Sequence, residues 1–444
     1  MKTKFTLLIT ILIFVSFCSF AQTFNKAALD SLFSILAQND KGMVSVAISK
    51  NDQMLYQKAI GFASISEKGN IPATIQTRYR IGSITKTFTA TMIFQLVDEG
   101  KLTLSETLKT YFPGVKNSEK ITIGNLLNHR SGIHNFTADP AYMQSVTSPK
   151  TSAEMVDIIS KTTPDFEPGT KTEYSNSNYV LLGFIIEKLT GKTYAQNLDQ
   201  RIAARLKLKD TYYGGKTDLK KNESFSYKLL GKWIQQPETD TSIPGGAGAI
   251  ISTPSDLNQF ITALFSGKLV KSGSLEQMKS ITDGMGMGLF KIPFGQKTGY
   301  GHNGIIDGFV ANMFYFPEDN LAVSICSNGV IYPVNDILVA LLSAYYDVPV
   351  KIPSFKSIAL KPEDLDKYVG VYSSAAFPLK ITIAKNDSGL TGQATGQGAF
   401  PLTPTEPDVF VFDQAGITME FRPSKNEFTF KQGGGNFVFI KSAP

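Results

Sequence analysis

Between Arg80 and Ala90 the chain reads Arg-Ile-Gly-Ser-Ile-Thr-Lys-Thr-Phe-Thr-Ala, a turn that opens onto a helix. Ile84, Phe88, Met92 and Leu96 recur at four-residue spacing, and Ile93 and Val97 widen the apolar face, so the helix is expected to reach about Glu99. Gly100 and Lys101 mark its C-terminus. Ser83 and Lys86 stand three apart, on one helical face and within reach of each other. A fold built around this stretch must bury an ammonium among apolar side chains, which drives it toward the neutral amine. A neutral lysine beside a serine hydroxyl can take its proton and leave a nucleophile. The free N–H groups at a helix N-terminus suit a developing oxyanion. Ser-x-x-Lys occurs nowhere else in the chain. The plain alternative is a buried helix with an incidental serine in its first turn.

The 444 residues are enough for two or three domains. Residues 1–21 have the form of a cleaved export leader: Lys2 and Lys4, an apolar run from Leu7 to Phe17, then Ser19-Phe20-Ala21. The run is short for a membrane span, so a secreted, periplasmic protein with no stable span after cleavage is expected. The formal charge is +6, and two of those charges belong to the leader lysines. The remaining charge is scattered without a basic run, which excludes a nucleic-acid surface. Cys326 is the only cysteine beyond the leader, so no intrachain disulfide can form. His129, His134 and His302 lack metal-ligand spacing, and neither metal nor cofactor is expected.

Taken in order, Leu29, Leu32, Phe33 and Leu36 give a helix over Asn25 to Asn39. Gly42 to Lys50 and Gln53 to Gly61 read as a strand pair joined at Asn51-Asp52. Ile121 to Gly132 reads as a short helix ending in a tight turn that carries His129, read as a structural histidine. Val180 to Leu189 is an amphipathic helix stopped by Gly191. Residues 214–247, with Trp233, form either a wall of a cleft or a surface hairpin. Thr253 and Pro254 start a helix. Three strands are expected over 299–327, the first opened by Gly301-His302-Asn303-Gly304, and a helix follows from Val334 to Tyr346. Residues 22–350 are therefore one domain, 351–361 a linker with lysines and a proline, and 362–444 a small antiparallel β domain, expected to be a barrel.

Two further stretches carry chemistry. Tyr174-Ser175-Asn176 is the only Tyr-x-Asn. A phenol set near two cations loses its proton more easily than in water, and Asn176 offers a donor and an acceptor to a substrate. In His302-Asn303-Gly304, Gly304 lets backbone approach a ligand closely, and the amide of Ile305 can pair with that of Ser83 around an oxyanion.

The order Ser-x-x-Lys, Tyr-x-Asn, His-x-Gly resembles the serine β-lactamase and penicillin-binding-protein superfamily. Leu126-Leu127-Asn128-His129-Arg130-Ser131-Gly132, Phe166-Glu167-Pro168-Gly169 and Gly245-Gly246-Ala247-Gly248 bring the chain closer to the class C β-lactamase and D-Ala-D-Ala carboxypeptidase-like branch, over about residues 25–346. The resemblance implies an α+β fold: a three-layer α/β/α sandwich with an antiparallel sheet and a helical insert over about 100–240. It implies an acyl-enzyme in which Ser83 is the nucleophile, Lys86 helps activate it, Tyr174 is general base and acid, and Asn176 positions substrate. His302, Gly304 and Ile305 complete the substrate side, with His302 where true β-lactamases hold lysine. Lys297-Thr298-Gly299 spells that lysine form five residues earlier, but the following strand pattern fits better after His302. Arg205-Leu206-Lys207-Leu208 stands where many relatives have Pro-Leu-Gly-Met. The expected function is an exported serine hydrolase acting on D-amino-acid peptides, peptidoglycan stems or small esters. A β-lactam-binding sensor without turnover and an efficient β-lactamase are the alternatives.

Overall fold

The computed structural model describes residues 24–442, apart from 231, 356, 388, 413–414 and 433–434. The expected leader lies outside the described residues.

Asn51 and Asp52 both take positive φ, 50° and 63°. That is the geometry of a two-residue hairpin turn matching strand twist, and it joins β1 (Gly42–Lys50) to β2 (Gln53–Ile60). Four strands from the far end of the chain complete the sheet: β3 (Phe290–Phe294), β4 (Lys297–Ile306), β5 (Phe309–Phe316) and β6 (Leu321–Val330). The order is β3-β4-β5-β6-β1-β2, antiparallel at every pairing. The strand containing His302 begins at Lys297, four residues earlier than expected, because β3, unforeseen in the sequence, pairs with Lys297–Gly301.

Successive residues of a strand face opposite sides, and here both faces are covered. Ala311, Met313 and Tyr315 pack toward the core that holds α2 (Thr85–Asp98), α3 (Asn176–Thr190) and α4 (Pro254–Phe265). Phe314, Phe316, Val323 and Ile325 pack toward α1 (Lys26–Gln38) and α5 (Val334–Tyr345). The fold is the three-layer sandwich expected. The short helix Ile123–Leu127 and α3 pack against α2's core within the insert.

The α2 helix departs from its expected one-sided burial: every residue from Thr85 to Leu96 is buried. Its threonines make this possible by keeping their hydroxyls satisfied. Thr87 donates to the Gly288 carbonyl, Thr89 to that of Gly246 and Thr91 to that of Thr87. Thr253 caps α4 as expected, accepting from the Asp256 N–H with Pro254 in the first turn.

Residues 370–441 close into an antiparallel eight-stranded barrel. Its interior is aromatic, with Phe410, Phe421, Phe428, Phe430 and Phe439 all buried. Gly416, Thr418 and Lys431 of the barrel line a groove with Asp336, Val339 and Ser343 of α5. The barrel thus adjoins the helical layer on the side of the sheet away from α2.

Candidate active site

Ser83 sits on a 3-10 turn, Gly82–Ile84, that runs directly into α2. The turn is held from two directions. The Ile81 N–H donates to the Ile250 carbonyl and the Ile250 N–H to Thr85 Oγ1, fixing it to the strand Ile250–Ser252. On the other side it presses on β4, where only glycine fits: a Cβ on Gly304 would lie 2.0 Å from the Ile81 carbonyl oxygen and 3.0 Å from the Ser83 nitrogen. Gly82, at φ +50°, faces the backbone of Ile305, which a Cβ would meet at 2.9 Å. Since β3 pairs only with Lys297–Gly301, the edge of β4 beyond them meets the serine turn instead of another strand.

Lys86 is fully buried, and its Nζ has three partners: Ser83 Oγ at 2.9 Å, Asn176 Oδ1 at 2.8 Å and the Ala247 carbonyl at 2.8 Å. None of the three is a carboxylate. Burial therefore acts without a compensating charge and holds the amine far below the ordinary lysine range. A neutral amine has two N–H donors and one lone pair. With the donors on Asn176 and Ala247, the lone pair faces the Ser83 hydroxyl.

Tyr174 lies beside both groups. Its phenol hydrogen-bonds Ser83, and Lys86 Nζ stands 4.9 Å from the ring centroid. The expected easing of its ionisation by two cations is not found. Burial raises the phenol above its ordinary value and the Ser83 bond offsets this only in part. The cations that would lower it are missing, because Lys86 is driven toward neutrality and burial pushes His302 down to about 3.

Asn176 opens α3 with both ends of its amide engaged: Oδ1 on Lys86, and Nδ2 donating to Asn135 Oδ1 at 3.2 Å and Thr137 Oγ1 at 2.9 Å. His302 is buried, packed on Phe290 at 4.2 Å between ring centroids, with its Nδ1 against the Asn303 carbonyl. Tyr174 is 6.3 Å from it, so the ring backs the phenol. Lys297 lies away from the site and is paired with Glu318 at 3.1 Å and Asp319 at 3.0 Å. His129 is a buried, neutral ring stacked beneath Tyr174 at 4.4 Å, accepting from the Ser175 N–H. It is structural, as read from the sequence, and what it supports is the phenol.

A cleft of about 510 Å³ opens over Ser83 and Asn176. Ile305 and Asp307 of the β4 end, Phe136, Thr137 and Met143 of the insert, and Lys228 and Gln236 of the 227–235 hairpin region line it. Residues 214–247 are thus both a hairpin and a cleft wall. Among the described residues, none of the barrel lines the cleft. Sequence reasoning missed Ala247 as a lysine partner, and Asn135 and Thr137 as the clamp on Asn176. Ala247 was within reach, since it lies in the Gly-Gly-Ala-Gly stretch already noted; the clamp carries no sequence signal.

Residues 32–343 match the Beta-lactamase family model. Teichoic acid D-alanine hydrolase of Staphylococcus aureus is 31% identical over 227 residues, 51% of this chain and 55% of that protein. The chain thus spans about half the length of the curated relatives it matches. D-amino acid amidase from Ochrobactrum anthropi SV3 superposes with a TM-score of 0.64 at 29% identity, covering 72% of this chain and 99% of that one. The octameric penicillin-binding protein homologue from Pyrococcus abyssi shares the fold more widely, with a TM-score of 0.66 at 24% identity over 93% of this chain and 99% of that one. With the motifs in order, the sandwich they sit on and a family match across most of the chain, this protein belongs to the Beta-lactamase family.

Proposed function

We propose that this protein is a serine hydrolase that cleaves D-aminoacyl ester or amide bonds through an acyl-enzyme. The observation that carries the reading is the fully buried Lys86 amine, whose Nζ stands 2.9 Å from Ser83 Oγ with only the neutral oxygens of Asn176 and Ala247 as its other partners. Ser83 Oγ attacks the carbonyl carbon as Lys86 takes the hydroxyl proton. The oxyanion forms between the backbone amides of Ser83 and Ile305. Tyr174, whose raised phenol keeps its proton, gives it to the leaving oxygen or nitrogen as that bond breaks. An ammonium and a phenolate then stand side by side, and the proton passes from Lys86 to Tyr174, restoring both. Water repeats the cycle with Ser83 Oγ as leaving group. In this scheme Asn176 orients Lys86, and His302 and His129 hold the phenol.

The substrate class rests on the similarity to D-alanine hydrolase and D-amino acid amidase. The neutral His302 and the remote, paired Lys297 argue against a strong carboxylate grip and hence against efficient antibiotic hydrolysis. The composition of residues 1–21 supports export, and N-terminal sequencing of the protein secreted by its host checks it at Gln22. Among the described residues no helix is long and apolar enough to cross a membrane.

The test is turnover of D- and L-alanine methyl ester and p-nitroanilide, with Ser83→Ala as control. Continued, D-selective, Ser83-dependent release is expected. One equivalent of product followed by arrest would replace the hydrolase with a sensor. No release and no adduct with a fluorophosphonate would remove the catalytic reading.

A further inference from the structure

The charge around the cleft is distributed in a way the catalytic scheme does not use. Lys86 and His302, the two basic groups nearest Ser83, are both driven neutral. Asp307 reaches the cleft wall but is internally saturated. Its carboxylate accepts from the Thr239 N–H, from Thr239 Oγ1 at 2.6 Å and from Arg80 at 3.5 Å, with its side chain only 5% exposed. Arg80 is consumed by Asp307, Glu238 and two carbonyls. One charged group lining the cleft is left over: Lys228, exposed on the first strand of the 227–235 hairpin, backbone-paired with Ile234 and without an ion-pair partner among the described residues. Lys297, away from the site, is paired with Glu318 and Asp319.

We propose that Lys228 is the specificity-determining cation of this site, so that the preferred substrates carry an anionic group, phosphate or carboxylate, positioned on the hairpin side of the cleft. This rests on the hydrolase reading above and narrows its substrate class. The anion lies across from β4, where Lys228 can meet it in partial solvent and steer it by charge. An exposed ammonium is a point charge without a bidentate fork, so it discriminates anionic from neutral substrates but only weakly one anion from another.

The experiment compares three D-alanyl substrates on the full-length protein: a neutral methyl ester, a glycerol phosphate ester and D-Ala-D-Ala. The readout is the ratio of kcat/KM for each anionic substrate to that for the neutral one. For Lys228→Ala this ratio is expected to fall about fivefold, the scale of an exposed ion pair, and for Lys228→Glu further. In wild type the ratio falls with added salt, and in Lys228→Ala that salt dependence flattens. If phosphate and carboxylate ratios fall together, the cation reads charge alone; if one falls, that anion is the one read. Ratios unchanged in both variants overturn the proposal while leaving the hydrolase reading intact. Should no substrate turn over, the hydrolase reading fails, and binding of glycerol phosphate to Ser83→Ala by calorimetry still decides the proposal. Affinity lost on adding Lys228→Glu upholds it, and no binding, or binding that survives, overturns it.

Discussion

Gly304→Ala tests whether the distance between the serine turn and β4 is what sets the chemistry. The added Cβ would stand 2.0 Å from the Ile81 carbonyl oxygen, and contacts below about 3 Å require something to move. Neither side is a flexible side chain, since both are backbone: β4 is paired to β5 through Gly304↔Ala311, and the turn is tied to Ile250. The gap must therefore open by about 1 Å, and the amides of Ser83 and Ile305 separate by a similar amount. Misplacement of about 1 Å at a reacting centre costs roughly a hundredfold in rate. The same overpacking costs the fold about 1–3 kcal/mol, which a domain of this size survives. The assay is the second-order rate of acylation by a fluorophosphonate and by a D-alanyl ester, alongside thermal melting. A roughly hundredfold slower acylation with a single cooperative melt is expected. Acylation within threefold of wild type in a folded variant would refute the argument that the contact positions the oxyanion amides.

Lys86→Met removes the proposed base and should lower kcat/KM by about a thousandfold without recovery at high pH. It should also raise the melting temperature, because a buried amine without a carboxylate partner is a cost to the fold that methionine does not carry. The sign with pH follows: Lys86 titrates lower in the folded state, so the unfolded state binds more protons between the two pKa values. Stability should rise with pH through that window in wild type relative to Lys86→Met, as measured by melts from neutral pH to about pH 10. The activity profile should have an acid limb below the ordinary lysine range, an alkaline limb above the ordinary tyrosine value, and no limb near 6.5 from His302. Phe428→Ala empties a fully buried position stacked on Phe439 at 5.1 Å and should cost the barrel about 3–5 kcal/mol, yet leave kcat/KM within twofold, since no described barrel residue lines the cleft. Lys207 holds a left-handed helix end at φ +58°, a conformation glycine takes without the Cβ penalty, so Lys207→Gly should stabilise by about 1 kcal/mol on chemical denaturation.

The parts of this molecule that could be read from its residues are those decided locally. Asn51-Asp52 names its hairpin because both residues tolerate positive φ; Thr253-Pro254 names its helix start; Gly191 ends α3 at φ +67°. Ser83 and Lys86 meet as their spacing requires. What could not be read depends on who stands opposite. Strand β3 contains Pro293 and alternates half-buried with exposed residues, so its sequence gives a weak strand signal, and only its place at the sheet edge makes it one. The phenol of Tyr174 was expected to be eased by cations, and adjacency along the chain cannot say that those cations are themselves neutralised by burial. The clamp of Asn135 and Thr137 on Asn176 reaches across 41 and 39 positions of sequence, and nothing in those residue types marks the pairing.

The sheet order has a consequence for how the protein comes into being. Strand β1 lies between β2 and β6, with Val46 opposite Ile325. The first hairpin made must therefore wait for the last strand of the sandwich before its second edge is paired, and everything between, Ser83 and Lys86 included, is looped out meanwhile. Closing so long a loop is slow, as contact order dictates. Nascent or truncated chains lacking β4 to β6 hold the serine and the lysine without the wall that aims them, so reactivity appears only once synthesis has passed Val330.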